Sequence, residues 1–195
     1  ALRSAGITAP VLSWLAAPGE DLAAGVAADV DLSASAPWTV SEIAAAARDA
    51  GQPARLHLKI DTGLSRGGAP AADWPDLVTA AAKAAAAGDV QVIGIWSHFA
   101  YADAPGHPTI ARQVAGFTDA VEVARRLGVD PPLRHLANSA ATLTLPAAHF
   151  DLVRPGIAVY GLTPVPPVWH GLTPAMTLRS SVALAKRVPA GSGVS

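Results

Sequence analysis

Residues 56–68 read LHLKIDTGLSRGG, a short apolar strand that runs into a glycine-rich loop. Side chains alternate along a strand, so Leu56, Leu58 and Ile60 share one face while His57, Lys59 and Asp61 share the other. In a parallel barrel the apolar face would meet an outer layer of helices and the polar face would point inward. A lone lysine is costly to bury there and must be paired or modified. The loop DTGLSRGG follows at the strand's C-terminal end, where barrel active sites lie. It carries Arg66 among glycines that let the backbone approach a ligand closely. A structural ion pair between Lys59 and Asp61, with Arg66 on the surface, accounts for the same charges. Spacing alone does not separate the two readings.

The same unit recurs along the chain. APVLSWL (9–15), DVDLSAS (29–35), ARLHLKI (54–60), VQVIGIWSHF (90–99), LRHLA (133–137) and FDLVRPGIAVYG (150–161) predict strands. Helices are predicted over 19–28, 72–88 and 109–128, the last with Ile110, Val114, Phe117, Val121 and Leu127 on one face. Thr39 and Glu42 have capping-box spacing at the head of another helix, which stops at Gly51. A repeating βα pattern with short loops predicts an α/β fold with a parallel sheet and helices outside. About six strands, against about eight in a closed (β/α)8 barrel, predict an incomplete TIM-type barrel over residues 1–167. A doubly wound sheet fits the pattern nearly as well, although no glycine-rich dinucleotide turn follows the first strand. After Pro167 the helical period stops. Residues 168–195 predict the truncated start of a C-terminal β domain, with Pro164, Pro166 and Pro167 in the connection.

Composition narrows the function classes. Of 195 residues, 51% are hydrophobic and 15% charged, enough apolar material for a large core. A net charge of −1 without basic or acidic runs gives no footprint for nucleic acid or an anionic membrane. The absence of cysteine excludes disulfides and thiolate metal sites, and no metal site is expected. No apolar run is long enough to span a bilayer, and no signal-peptide layout opens the chain, so a cytoplasmic location is expected. The sequence opens on ALRSAGI, like the end of a helix, and stops at GSGVS in mid-turn, which suggests an excerpt of a longer protein.

The other strand ends carry polar groups too. In 90–99, Gly94, Trp96 and His98 share the face opposite Ile93 and Ile95. RHLANSAA places His135, Asn138 and Ser139 at the next strand end. Ser139 could cap the following helix, or offer a hydroxyl to a phosphate at its N-terminus. VRPGIAVYG places Arg154, Gly156 and Ile157 likewise, with two free N–H groups after a proline. Each group has a structural explanation of its own, but four consecutive strand ends repeat the theme.

LHLKIDTGLSRGG, SHFAYAD, HLANSAA and VRPGIAVYG, in this order and at these distances, resemble the alanine racemase family. The resemblance covers essentially the whole chain. It implies a pyridoxal 5'-phosphate barrel followed by a β domain, interconverting L- and D-alanine by two bases to supply peptidoglycan. It also implies a small amino-acid substrate and a homodimer. Arg66 would approach the phenolic oxygen of the cofactor, and Lys59 would be the lysine that the family often carbamylates to brace Arg66. Arg154 would donate to the pyridine nitrogen, with His135 holding Arg154. Ser139, Gly156 and Ile157 would take the phosphate, with Asn138 beside them, and His98 would orient the acid–base groups. The family's cofactor lysine, in a KANAYG-like motif, and its catalytic tyrosine, in a VSYG-like turn, match nothing in residues 1–195. The excerpt alone is therefore expected to be inactive. Leu64 stands where the family usually has methionine. Related alternatives are a racemase for serine or a broader set of amino acids, and a non-catalytic pyridoxal-phosphate barrel. An unrelated barrel with structural ion pairs is the alternative from another class.

Overall fold

The structure, a computed structural model, describes residues 1–17 and 19–193. In chain order its elements are β1 (Val11–Ser13), α1 (Leu22–Ala27), β2 (Val30–Ala34), α2 (Pro37–Ala50), β3 (Ala54–Lys59), α3 (Trp74–Ala86), β4 (Val90–Trp96), α4 (Pro108–Arg126), β5 (Leu133–His135) and α5 (Ser139–Thr144). The strands form one parallel sheet in the order β1-β2-β3-β4-β5. Consecutive strands are neighbours throughout, so the crossover helices fall on one face, which is the winding of a (β/α)8 barrel. A doubly wound sheet would reverse its order at a switch point, and this one does not. The chain forms a curled, incomplete TIM-type barrel. No helix among the described residues is long and apolar enough to cross a membrane.

Alternation builds the two faces. Leu56, Leu58 and Ile60 are buried with Leu77, Val78 and Phe117 beneath the helices, so the apolar face of 56–61 is the helix-facing one. Trp74 is buried at the start of α3, and its Nε1–H donates to the Ala120 carbonyl of α4 at 2.8 Å, joining the two helices. On α4, Phe117 is fully buried, and Ile110, Val114 and Val121 pack against the core. Leu127 does not join them. It follows the last helical residue and is 40% exposed.

Two sequence expectations differ from the structure. First, α2 begins at Pro37, whose fixed φ suits the first helical position. Thr39 lies inside the first turn, where its Oγ1 accepts the N–H groups of Ser35 and Ala36, both at 3.2 Å, so Thr39 and Glu42 are not a capping box. Second, residues 150–161 form no strand. Asp151 and Arg154 donate backbone N–H groups to Arg134 and Ala137 at 3.0 and 2.9 Å. Pro155 then has no N–H to continue a ladder, and Ile157–Tyr160 turn into a 3-10 helix. Described residues 168–193 carry no helix or strand, and Leu178, Val182 and Leu184 are exposed. The last two residues of the expected β segment, Val194 and Ser195, lie outside the described residues.

Candidate functional site

Sheet register aligns the site. Lys59 at the end of β3 pairs with Trp96 at the end of β4, and Trp96 pairs with His135 at the end of β5. The three side chains stand side by side on the face opposite the helices, and all are buried. Trp96 is the floor. Its ring stacks on His135, with centroids 5.7 Å apart and planes 2° apart, and on Trp14 at 5.5 Å. Its Nε1–H donates to Ser33 Oγ at 2.9 Å, which fixes the ring plane.

Cations gather above this floor. Lys59 Nζ lies 4.4 Å from the centre of the Trp96 ring and the Arg154 guanidinium 4.9 Å, within cation–π range. Burial pushes Lys59 below the ordinary lysine range, and the charges of Arg66 and Arg154 push it further. The Lys59–Asp61 ion pair that spacing allowed is not formed. Asp61 Oδ1 instead accepts the N–H groups of Gly63, Leu64 and Ser65 at 2.8, 3.0 and 3.2 Å, shaping the loop that carries Arg66. The base of that loop is closed by Asp61 N–H to the Ala69 carbonyl and Ala69 N–H to the Lys59 carbonyl, at 2.8 and 2.9 Å. Only glycine fits at position 68 beside this closure. Its φ is 115°, and a Cβ would lie 2.8 Å from the backbone of Ile60 and Asp61.

Arg154 is the most constrained of the cations. Its Nη1–H donates to His135 Nδ1 at 2.8 Å, and its Nη2 donates to the carbonyls of Ser97 (2.7 Å) and Leu136 (3.3 Å). His98 Nδ1 lies 3.4 Å from Nη2. Arg154 Nε is buried without a partner among the described residues. Burial lowers Arg154 to about 10, which still leaves it charged at neutral pH. Burial first, and then the charge of Arg154, hold His135 down at about 2 and His98 at about 4. Burial also lowers His57.

These histidines are neutral when folded, whereas an unfolded histidine titrates near about 6.5. Their folded pKa values are depressed, so below that pH the unfolded chain binds protons that the folded chain refuses. Their contribution to stability is complete above about pH 6.5 and is lost as pH falls from there towards about 4 and lower. Unfolding free energy should drop by on the order of 3 kcal/mol between pH 7.5 and 5.5, roughly half of it from each of His98 and His135. Denaturant unfolding at the two pH values checks this, and equal stabilities would contradict it.

The residues expected to take a phosphate meet at the start of α5. Asn138, not Ser139, caps that helix, with Oδ1 accepting Ala141 N–H at 3.1 Å. Ser139 Oγ is thereby free to turn to the next loop, where it meets the N–H groups of Gly156 at 2.7 Å and Ala158 at 3.3 Å. Ser139 and Gly156 are thus brought together, with Ile157 between the two N–H donors.

Sequence reading missed two residues that organise the site. Gln113 is fully buried on α4, where Oε1 accepts Ala100 N–H at 2.9 Å and Nε2 donates to the His98 carbonyl at 3.1 Å and to Thr62 Oγ1 at 3.2 Å. It ties the loop after β3 to the loop after β4. Its signal was an amide four residues before Phe117, on the apolar face of α4. Gln113→Leu fills the space but strands the Ala100 N–H, and should cost about 1–2 kcal/mol in denaturant unfolding. An unchanged midpoint would show that the amide does not brace the loops. The second is Asp31, on the inward face of β2. Its signal was the alternation of Asp31, Ser33 and Ser35 against Val30, Leu32 and Ala34.

The sheet order and the gathering of an aromatic floor, cations and a hydroxyl–amide corner at the strand ends define a TIM-type barrel with its polar groups collected at the C-terminal ends of its strands. Comparison with known proteins agrees. The family model for the alanine racemase N-terminal domain matches residues 1–164. The curated alanine racemases of Frankia casuarinae and Salinispora arenicola are each 63% identical over the whole chain, which spans about half (52%) of each. Among solved structures, alanine racemase from D-cycloserine-producing Streptomyces lavendulae superposes with a TM-score of 0.96 at 55% identity, covering 100% of this chain and 52% of that one. The Corynebacterium glutamicum alanine racemase gives 0.84 at 37% identity, covering 97% and 52%. This chain belongs to the alanine racemase family.

Proposed function

We propose that the full-length protein is an alanine racemase that holds pyridoxal 5'-phosphate on the site described above. The observation that carries this reading is the buried Nε–H of Arg154, a donor beside an aromatic floor that has no partner among the described residues. A buried donor calls for an acceptor, and the lone pair of a pyridine nitrogen supplies one. Ser139 Oγ with the N–H groups of Gly156 and Ile157 suits the phosphate, with Asn138 ordering the helix start. Lys59, Arg66 and Arg154 together suit the ligand's negative charge.

When bound, the cofactor supplies an electron-withdrawing ring that makes the substrate's α-proton acidic. Arg154 stays charged and binds its protons far more tightly than a pyridine nitrogen does, so it would donate a hydrogen bond to the ring nitrogen without giving it a proton. Such a hydrogen bond would limit how strongly the ring draws charge from the α-carbon and would favour returning the proton over losing the amino group. His135 holds Arg154 through Nδ1, and His98 packs against it as a neutral ring. Arg66, on the exposed loop after β3, would take the phenolic oxygen. Burial lowers Lys59, which favours the neutral amine more than is usual for a lysine; that amine would add carbon dioxide with release of one proton to water, and the resulting carbamate would pair with Arg66. Racemisation needs one proton-moving group on each side of the α-carbon. We assign these to a lysine and a tyrosine outside residues 1–195. We further place a β domain from residue 168, a homodimer and a cytoplasmic location with this reading.

The test is the full-length protein supplied with pyridoxal phosphate and L-alanine. It should be yellow and should bring the alanine to a mixture of both enantiomers. A colourless protein that leaves L-alanine unchanged would overturn the reading.

A further inference from the structure

We propose that Asp31 is a positioning residue: it ends a one-way hydrogen-bond chain that fixes the tautomers of His57 and His135 and keeps a lone pair facing Arg154. The consequence for catalysis rests on the function proposed above, but the chain itself does not.

The chain crosses four elements. Arg154 Nη1 is 2.8 Å from His135 Nδ1, His135 Nε2 is 3.0 Å from His57 Nδ1, and His57 Nε2 is 3.2 Å from Asp31 Oδ2. Its two ends are unambiguous. A guanidinium only donates, and a carboxylate only accepts. Both rings between them are buried and neutral, so each carries one N–H. Starting from Asp31, His57 must donate from Nε2, which leaves Nδ1 as an acceptor. His135 must then donate from Nε2, which leaves its Nδ1 lone pair for Arg154. Counting from Arg154 gives the same assignment. The opposite tautomers would set N–H against N–H at Arg154 and lone pair against carboxylate at Asp31.

Two features show that this arrangement is built into the fold. Arg55 grips the same carboxylate through Nε and Nη2, at 2.5 and 3.2 Å, and holds Asp31 in place from the half-exposed side. Gly94 lies on β4 between the strands that carry the two histidines. A Cβ there would overlap His57 Nδ1, and would lie 2.8 Å from Cε1, so the imidazole crosses β4 only because position 94 lacks a side chain.

The experiment uses full-length protein labelled with 15N-histidine, first without cofactor. Ring 15N shifts should place the proton on Nε2 of both His57 and His135, and a proton on Nδ1 of either ring would overturn the proposal. Asp31→Leu removes the last acceptor. His57 and His135 should lose their single tautomer, and with cofactor kcat should fall about tenfold with little change in KM. Asp31→Asn keeps an acceptor oxygen in the same volume and should restore both tautomers and kcat to within about threefold of the parent. If Asp31→Leu leaves both rings on Nε2, or if Asp31→Asn is no better than Asp31→Leu, Asp31 does not set the chain. If Asp31→Leu does not fold, the parent tautomers and Asp31→Asn still decide. The 15N readout needs no racemase activity, so failure of this inference is distinct from failure of the proposed function.

Discussion

Arg154→Glu in the full-length protein should lower kcat/KM for alanine racemisation by about 10²–10³-fold, the scale for losing one preorganised donor. It should also raise the pyruvate released per turnover. The guanidinium makes hydrogen bonds to His135 and to the carbonyls of Ser97 and Leu136, and it leaves Nε unpaired. Glutamate can replace none of these donations. Its carboxylate would instead face the Nδ1 lone pair of a neutral His135 and two carbonyl oxygens, an arrangement that favours taking up a proton. A protonated carboxyl could share that proton with the ring nitrogen, so the ring would draw more charge from the substrate and side reactions would grow. Chiral chromatography of alanine and a coupled pyruvate assay measure both effects. Unchanged racemisation would show that Arg154 does not touch the ring.

Gly94→Ala should destabilise the protein by about 3 kcal/mol, the upper end for overpacking a closed interior. The added methyl would overlap the His57 ring and come 3.2 Å from the Leu133 carbonyl of β5. The ring has nowhere to retreat, because it is 2% exposed and tied at both nitrogens. Relief must come from breaking the His57–His135 hydrogen bond or prising β4 from β5. Denaturant unfolding reads the cost, and full-length Gly94→Ala should also bind pyridoxal phosphate more weakly because Arg154 loses its ordered support. A variant as stable as the parent would mean that the ring can move aside.

Much of this was legible from alternation. The two faces of 56–61 placed Leu56, Leu58 and Ile60 under the helices and His57 and Lys59 inside, as the structure has them. The stops and starts of the βα units fell near their true places because glycine and proline act locally. Non-local relations were not legible. Nothing in the spacing of Lys59 and Asp61 showed that Asp61 would turn to its own loop. Nor could one strand show that Asp31 on β2 would meet His57 on β3. The 150–161 segment reads as a strand by its apolar content, but pairing fails where Pro155 lacks a donor. Ser139 was read as a possible helix cap, a role that the structure gives to its neighbour Asn138.

Arg154 is proposed to donate to an unprotonated ring nitrogen. The direct measurement is the 15N shift of pyridoxal phosphate labelled at that nitrogen, bound to the full-length protein at neutral pH. A shift in the range of a hydrogen-bonded but unprotonated pyridine, moving on Arg154→Glu, is the predicted result. A pyridinium shift that is the same in both proteins would contradict it.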